Sequence, residues 1–168
     1  AGSGEVLALL GDDGSAQFLG REGELLAYVS GLGRPVNAVE GAGALYVVDS
    51  SGRRLIVLDG ETHQVVRTRE LPEAPLALAY DPQGQRVYVG QMGSGVVLAL
   101  DAATLETRGS VQLSGLGLPQ DLALDASARR LYVAHALSPK YGALSVIDVS
   151  TLEIVATLWG TADVPLLG

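Results

Sequence analysis

The sequence contains no cysteine, which excludes disulfide staples, thiolate metal sites, iron–sulfur clusters and covalently attached haem. Its two histidines, His63 and His135, are too few for a multi-histidine metal centre within this chain. Asn37 is the sole asparagine, Trp159 the sole tryptophan and Lys140 the sole lysine. Basic residues number 11 against 19 acidic ones, a net charge of −8. That sign opposes a nucleic-acid backbone or an anionic membrane surface as partner. No apolar run approaches the roughly 20 residues of a membrane helix, so no transmembrane segment is expected. Sustained 3.6-residue periodicity behind a capped start is also missing, which argues against a helical architecture.

What is present is a repeat. The 168 residues are 48% hydrophobic and 18% charged, enough for a sizeable core in one domain. Leu45-Tyr-Val-Val-Asp49 returns as Val87-Tyr-Val-Gly-Gln91 and as Leu131-Tyr-Val-Ala-His135, with the tyrosines 42 and 44 residues apart. An apolar run closed by aspartate recurs as Leu55–Asp59, Val97–Asp101 and Leu144–Asp148. Pro35, Pro75, Pro119 and Pro165 each open an apolar strand, which proline tolerates at a first position. Three markers in one order at one period mark internal repeats of four short strands, A to D. In the second complete repeat these are Leu76–Tyr80, Arg86–Gly90, Val96–Leu100 and about Thr107–Leu113. Asp81-Pro-Gln-Gly84 supplies a tight turn between A and B. Asp59, Asp101 and Asp148, each followed three residues later by threonine, read as turn formers between C and D. Short strands, frequent turns and this period predict β-propeller blades.

The repeat resembles the YVTN-type β-propeller family, which is related to the NHL and quinoprotein-like propellers. Asp81-Pro-Gln-Gly-Gln-Arg-Val-Tyr-Val89 matches its first turn and strand, and Leu144–Leu158 matches its later "VID-x-x-T" portion. The likeness covers roughly residues 34–168 well and 5–30 loosely. Asp49, Gln91 and His135 stand near the position of the asparagine that gives the motif its name. The resemblance implies an all-β propeller of four-stranded antiparallel blades, about four of them in this chain. Repeat boundaries fall at approximately 5–33, 34–73, 74–117 and 118–163. The first blade lacks its innermost strand, and 164–168 reads as a final inner strand that completes it, unless another chain does. Three arrangements stay open: a four-bladed ring, half of an eight-bladed ring built with a second copy, or part of a longer propeller.

Antiparallel pairing places the start of A beside the end of B, near the channel mouth of a propeller. The positions two after each proline are Asn37, Ala77, Asp121 and Leu167; those three after each tyrosine are Asp49, Gln91 and His135, with Leu10 aligned to them. Asn37, Asp49, Gln91, Asp121 and His135 are therefore the candidate binding residues. Asn37 is expected to approach Asp49, and Asp121 to approach His135 as a cross-strand or general-base pair. The longest B–C connection, Ala136–Gly142, reads as a surface loop and offers Lys140 and Tyr141 as candidate contacts. Trp159 is expected to pack between blades, and His63 to lie in a solvated turn.

No catalytic residue, metal or cofactor is expected. A quinone-binding propeller would want a ring of tryptophan and arginine, and a calcium-dependent lactonase-like centre several asparagines. The expectation is a non-catalytic module that binds a protein partner, or itself, through a propeller face or an open blade edge. The alternative is a lactonase-like or quinoprotein-like enzyme using Asp49, Asp121 and His135. The resemblance implies export, to the periplasm or the cell exterior.

Overall fold

The computed structural model describes residues 5–113, 115, 118–138 and 141–161. Fifteen strands and no helix occur among them. They form one three-stranded and three four-stranded antiparallel sheets, each running in chain order. The first sheet holds β1 (Glu5–Gly11), β2 (Ser15–Gly20) and β3 (Leu25–Val29). The second holds β4 (Pro35–Gly41), β5 (Ala44–Asp49), β6 (Arg54–Asp59) and β7 (Val65–Glu70). The third is β8 (Pro75–Asp81), β9 (Arg86–Gln91), β10 (Val96–Asp101) and β11 (Thr107–Gln112). The fourth is β12 (Leu118–Asp125), β13 (Arg130–Ser138), β14 (Tyr141–Asp148) and β15 (Glu153–Thr161). The expected inner strand at 164–168 lies outside the described residues. The chain divides into two compact units between Pro75 and Leu76.

In the first unit, Ala16 and Phe18 of β2 pack with Leu45 and Val47 of β5, Ile56 and Leu58 of β6, and Leu32. In the second, Tyr88, Val97 and Ala99 on β9 and β10 meet Leu122, Leu131, Val133 and Ile147 on β12, β13 and β14. Alternation explains both: every second residue of a strand reaches the neighbouring sheet.

Each four-stranded sheet has the same turn chemistry between its last two strands. Asp59 accepts the Thr62 N–H at 2.8 Å and its hydroxyl at 2.9 Å. Asp101 and Asp148 accept the equivalent N–H groups of Thr104 at 2.8 Å and Thr151 at 3.3 Å. All three are turn formers, and the residue after each threonine is left-handed: His63, Leu105 and Leu152 have φ of 58°, 61° and 60°. Beyond each turn the outer strand carries a bulge, whose extra residue is Val66 in β6–β7, Arg108 in β10–β11 and Val155 in β14–β15. The C–D turns also tie to the A–B turns. Gly60 N–H donates to the Gly43 carbonyl at 2.9 Å, Ala102 to Gln85 at 2.9 Å and Val149 to Arg129 at 3.2 Å.

The β4–β5 turn takes a different form. Ala42 and Gly43 both have positive φ, 52° and 72°, the pattern of a two-residue type I′ hairpin. Alanine is disfavoured there because its Cβ crowds the following carbonyl. Ala42→Gly should therefore stabilise the first unit by about 0.5–1 kcal/mol. Urea denaturation should show a higher midpoint with an unchanged slope.

Candidate functional site

The expected site residues lie on β4, β5, β9, β12 and β13, and a bulge decides where they point. In the second sheet Pro35 pairs with Asp49, and Asn37 with Val48. In the fourth, Pro119 pairs with His135, and Asp121 with Ala134. The register shifts between Pro35 and Asn37, and again between Pro119 and Asp121. One extra residue reverses side-chain parity. Asn37 therefore shares a face with Val48 rather than with Asp49, and Asp121 with Ala134 rather than with His135.

This corrects both expected pairings. His135 is buried on β13, and its Nε2 lies 2.9 Å from the Ser145 hydroxyl of β14. Asp121 is exposed, and its carboxylate accepts the Leu122 N–H at 2.9 Å. A serine beside a histidine has the composition of a nucleophile and its base. Ser145 is 0% exposed, however, so no substrate reaches its hydroxyl. Ser145 is the partner that sequence reasoning missed, since it sits inside the apolar run Leu144–Ile147 and carries no motif.

Asp49 is the most heavily engaged of the candidates. It is fully buried at the end of β5. It accepts the Arg34 N–H at 2.8 Å, the Gly52 N–H at 2.9 Å and the Ser51 hydroxyl at 2.8 Å, while Arg54 Nε donates at 2.7 Å. Burial pushes its carboxyl up, but the donors from Arg34, Gly52, Arg54 and Ser51 outweigh burial and bring the pKa down to about 2. Gly33, at φ 75°, leaves the room this carboxylate occupies, since a Cβ there would run into it. Arg54 also donates to the Gly31 carbonyl at 3.3 Å. Asp49 thus fastens the β3–β4 connection to the β5–β6 turn.

Gln91 stands at the equivalent end of β9 and is likewise buried, whereas Asn37 is half-buried. Of the five candidates, Asn37 and Asp121 are the ones with solvent access. In the second unit Gly90, beside Gln91, lets β9 approach β12 closely: a Cβ on it would lie 3.1 Å from that of Pro119.

The expected loop at 136–142 is largely strand. β13 continues to Ser138, β14 begins at Tyr141, and those two residues are paired. Lys140 lies outside the described residues, and Tyr141 is described as the first backbone position of β14. The extra residues lengthen a hairpin rather than build a loop, since each added backbone pair satisfies its own hydrogen bonds. Trp159 is a further correction. It sits on outer strand β15 and is 61% exposed, near exposed Ile154, Val155 and Leu158. His63 is half-buried in its turn, its ring centroid 4.2 Å from that of Phe18.

Among the described residues, no group of three or more His, Cys, Asp or Glu is placed to hold a metal ion. Among the described residues no helix is long and apolar enough to cross a membrane.

Comparison with protein-family models finds no match, and no curated protein matches the sequence. Solved structures do match in fold. Hydrazine synthase of Kuenenia stuttgartiensis superposes with a TM-score of 0.79 at 17% identity, over 88% of this chain and 44% of that one. A chain of the mitotic checkpoint complex gives 0.75 at 15% identity, over 90% and 46%. Sqt1 of Saccharomyces cerevisiae gives 0.75 at 9% identity, over 89% and 43%. The chain thus spans less than half the length of each. These neighbours are β-propeller or WD40-type proteins, and the chain shares their fold: successive antiparallel blades in an all-β protein.

Proposed function

We propose that the chain is a non-catalytic propeller module that binds a protein. The observation that carries this reading is the outer strand β15. It spans nine residues, has a single charged residue (Glu153), and exposes Ile154, Val155, Leu158 and Trp159. Outer strands are normally protected from pairing by charge. β7 follows that rule with Arg67, Arg69 and Glu70, and β11, which like β15 carries one charge, Arg108, exposes no large hydrophobic side chain. An edge with one charge at its end and an exposed tryptophan has the composition of an interface core. One similar structure is itself a chain of a multiprotein assembly, the mitotic checkpoint complex, which agrees with this reading.

The enzymatic alternative draws no support from the geometry. Asp49 and His135 are buried and hydrogen-bonded, and Asp121 faces the opposite side of its sheet. Membership of the YVTN-type family and an exported location belong to the same proposal. The repeat motif supports the first, and the resemblance alone supports the second.

A photoreactive residue substituted for Val155 tests the module reading in an extract of the source organism. Discrete adducts that disappear with Trp159→Asp are expected. Labelling no different from that of a probe at Gln83, in an exposed turn on another strand pair, would contradict it.

A further inference from the structure

One end of the second sheet gathers three arginines that the equivalent positions of other sheets lack. Arg53 immediately precedes β6, and its carbonyl accepts the N–H of buried Leu71 at 2.7 Å. Gly14, before β2, and Gly95, before β10, accept from Leu32 and Leu113 in the same way, both at 2.9 Å. All three positions are left-handed, with φ of 79° at Gly14, 48° at Arg53 and 61° at Gly95. Glycine adopts that conformation freely, whereas a Cβ crowds the following carbonyl. Arg53 thus stands where the fold favours glycine. Arg54 follows it where the other two sheets have Ser15 and Val96. Arg34 precedes Pro35 where Ala74 and Leu118 precede Pro75 and Pro119. Asp49 draws the three arginines together. Its Oδ1 accepts the N–H groups of Arg34 at 2.8 Å and Gly52 at 2.9 Å, and its ion pair is with Arg54 Nε, at 2.7 Å. Arg34 and Arg53 are both exposed.

We propose that Arg34 and Arg53 form a docking surface for an acidic segment of a partner protein. The surface belongs to the first unit and stands whether or not β15 binds a partner. A left-handed arginine where glycine would fit is the mark of a side chain kept for what it binds. The carboxylates nearby are matched to Arg54: Asp49 by its ion pair, and Glu70 as the ladder partner of Arg54 in β6–β7. Arg34 and Arg53 remain for an incoming anion. A guanidinium holds a carboxylate through two parallel N–H bonds, so the pair suits a segment with more than one Asp or Glu. Exposure selects a protein over a small anion. An ion pair open to water contributes little, whereas a protein surface that excludes water strengthens it, and arginine is enriched in such interfaces. The net charge of −8 selects a short segment over a long polyanion such as nucleic acid, which the rest of the chain repels.

Fluorescence anisotropy with the purified 168-residue chain and a labelled Gly-Glu-Glu-Glu-Gly peptide tests this, with Gly-Gln-Gln-Gln-Gly as the reference peptide. At low salt the acidic peptide should bind about tenfold more tightly than the reference, the worth of one charge-assisted bond. High salt should shrink the difference. Arg53→Gly and Arg34→Gln should each weaken binding of the acidic peptide by about fivefold or more. Arg53→Gly should at the same time raise the urea midpoint, because glycine is unstrained there. Binding and stability then move in opposite directions, which separates lost contact from lost folding. Arg67, an exposed residue of β7, is the control: Arg67→Gln should leave binding unchanged. Equal binding of the two peptides overturns the proposal, and so does an affinity that survives both Arg53→Gly and Arg34→Gln. A loss from Arg67→Gln as large as theirs also overturns it, because general charge would then attract the peptide. A lower urea midpoint for Arg53→Gly overturns it too, since the fold itself would then hold the arginine in place.

Discussion

Asp49→Ala should lower the stability of the first unit by about 3–5 kcal/mol, the range for breaking a buried charged network from one side. The substitution strands the Arg34 and Gly52 N–H groups and the Arg54 guanidinium without their shared acceptor. Each buried unsatisfied donor costs about 1–3 kcal/mol. Hydrogen exchange should accelerate in β4–β7, which Asp49 fastens to the β3–β4 connection, while β8–β11 remains protected. The sign of the pH dependence follows from the depressed carboxyl. Its folded pKa of about 2 lies below the ordinary 3.8. Its contribution is therefore complete above pH 4 and is lost as pH falls toward 2. The difference corresponds to about 2 kcal/mol. Urea denaturation at pH 6 and pH 2 should show this loss in the wild type, and Asp49→Asn should reduce it by that amount.

Arg129→Met should destabilise the second unit by a comparable amount, about 3–5 kcal/mol. Asp81 is fully buried, and Arg129 Nη1 lies 2.7 Å from its Oδ1. The pair joins the β8–β9 turn to the β12–β13 turn. Burial pushes the Asp81 carboxyl up, but Arg129 and the Gly84 and Gln83 N–H groups outweigh it. Without the arginine, a buried carboxylate retains two N–H donors but no countercharge. Nearby, Arg86 Nη1 donates to the Val149 carbonyl at 3.0 Å, so a second guanidinium spans the same two sheets. Arg108→Met is the control. Its partner Asp101 is 2.9 Å away, but Arg108 is 48% exposed. Exposed pairs contribute about 0–1 kcal/mol. Thermal or urea denaturation of both variants should separate them clearly; equal effects would show that burial does not set the strength of these pairs.

These two residues illustrate what was legible in the sequence. The strands were, because proline, the Tyr-Val pair and the Asp-x-x-Thr turn each act locally. The expected Arg86–Gly90 and Val96–Leu100 differ by one residue from β9 and β10. The turn aspartates were legible for the same reason. Side-chain parity near the candidate site was not. The bulge after Pro35 and Pro119 leaves no mark in composition, yet it turns Asn37 and Asp121 away from Asp49 and His135. The ties between turns were also hidden. Leu32, Leu71 and Leu113 are buried, and each donates its N–H to the B–C turn of its own sheet, to Gly14, Arg53 and Gly95. They precede the strand-opening Pro35, Pro75 and Pro119 by three, four and six residues, so no fixed spacing reveals them. Arg129 reads as one of two adjacent surface arginines until the fold places Asp81, 48 residues away, against it.

Radical footprinting of β15 in the purified chain and in an extract of the source organism tests the assembly account most directly. The account predicts heavy modification of Val155 and Trp159 in the purified chain and protection of both in the extract. Equal modification of Val155 and Trp159 in both preparations would contradict it, because the exposed strand would then face water wherever the protein acts.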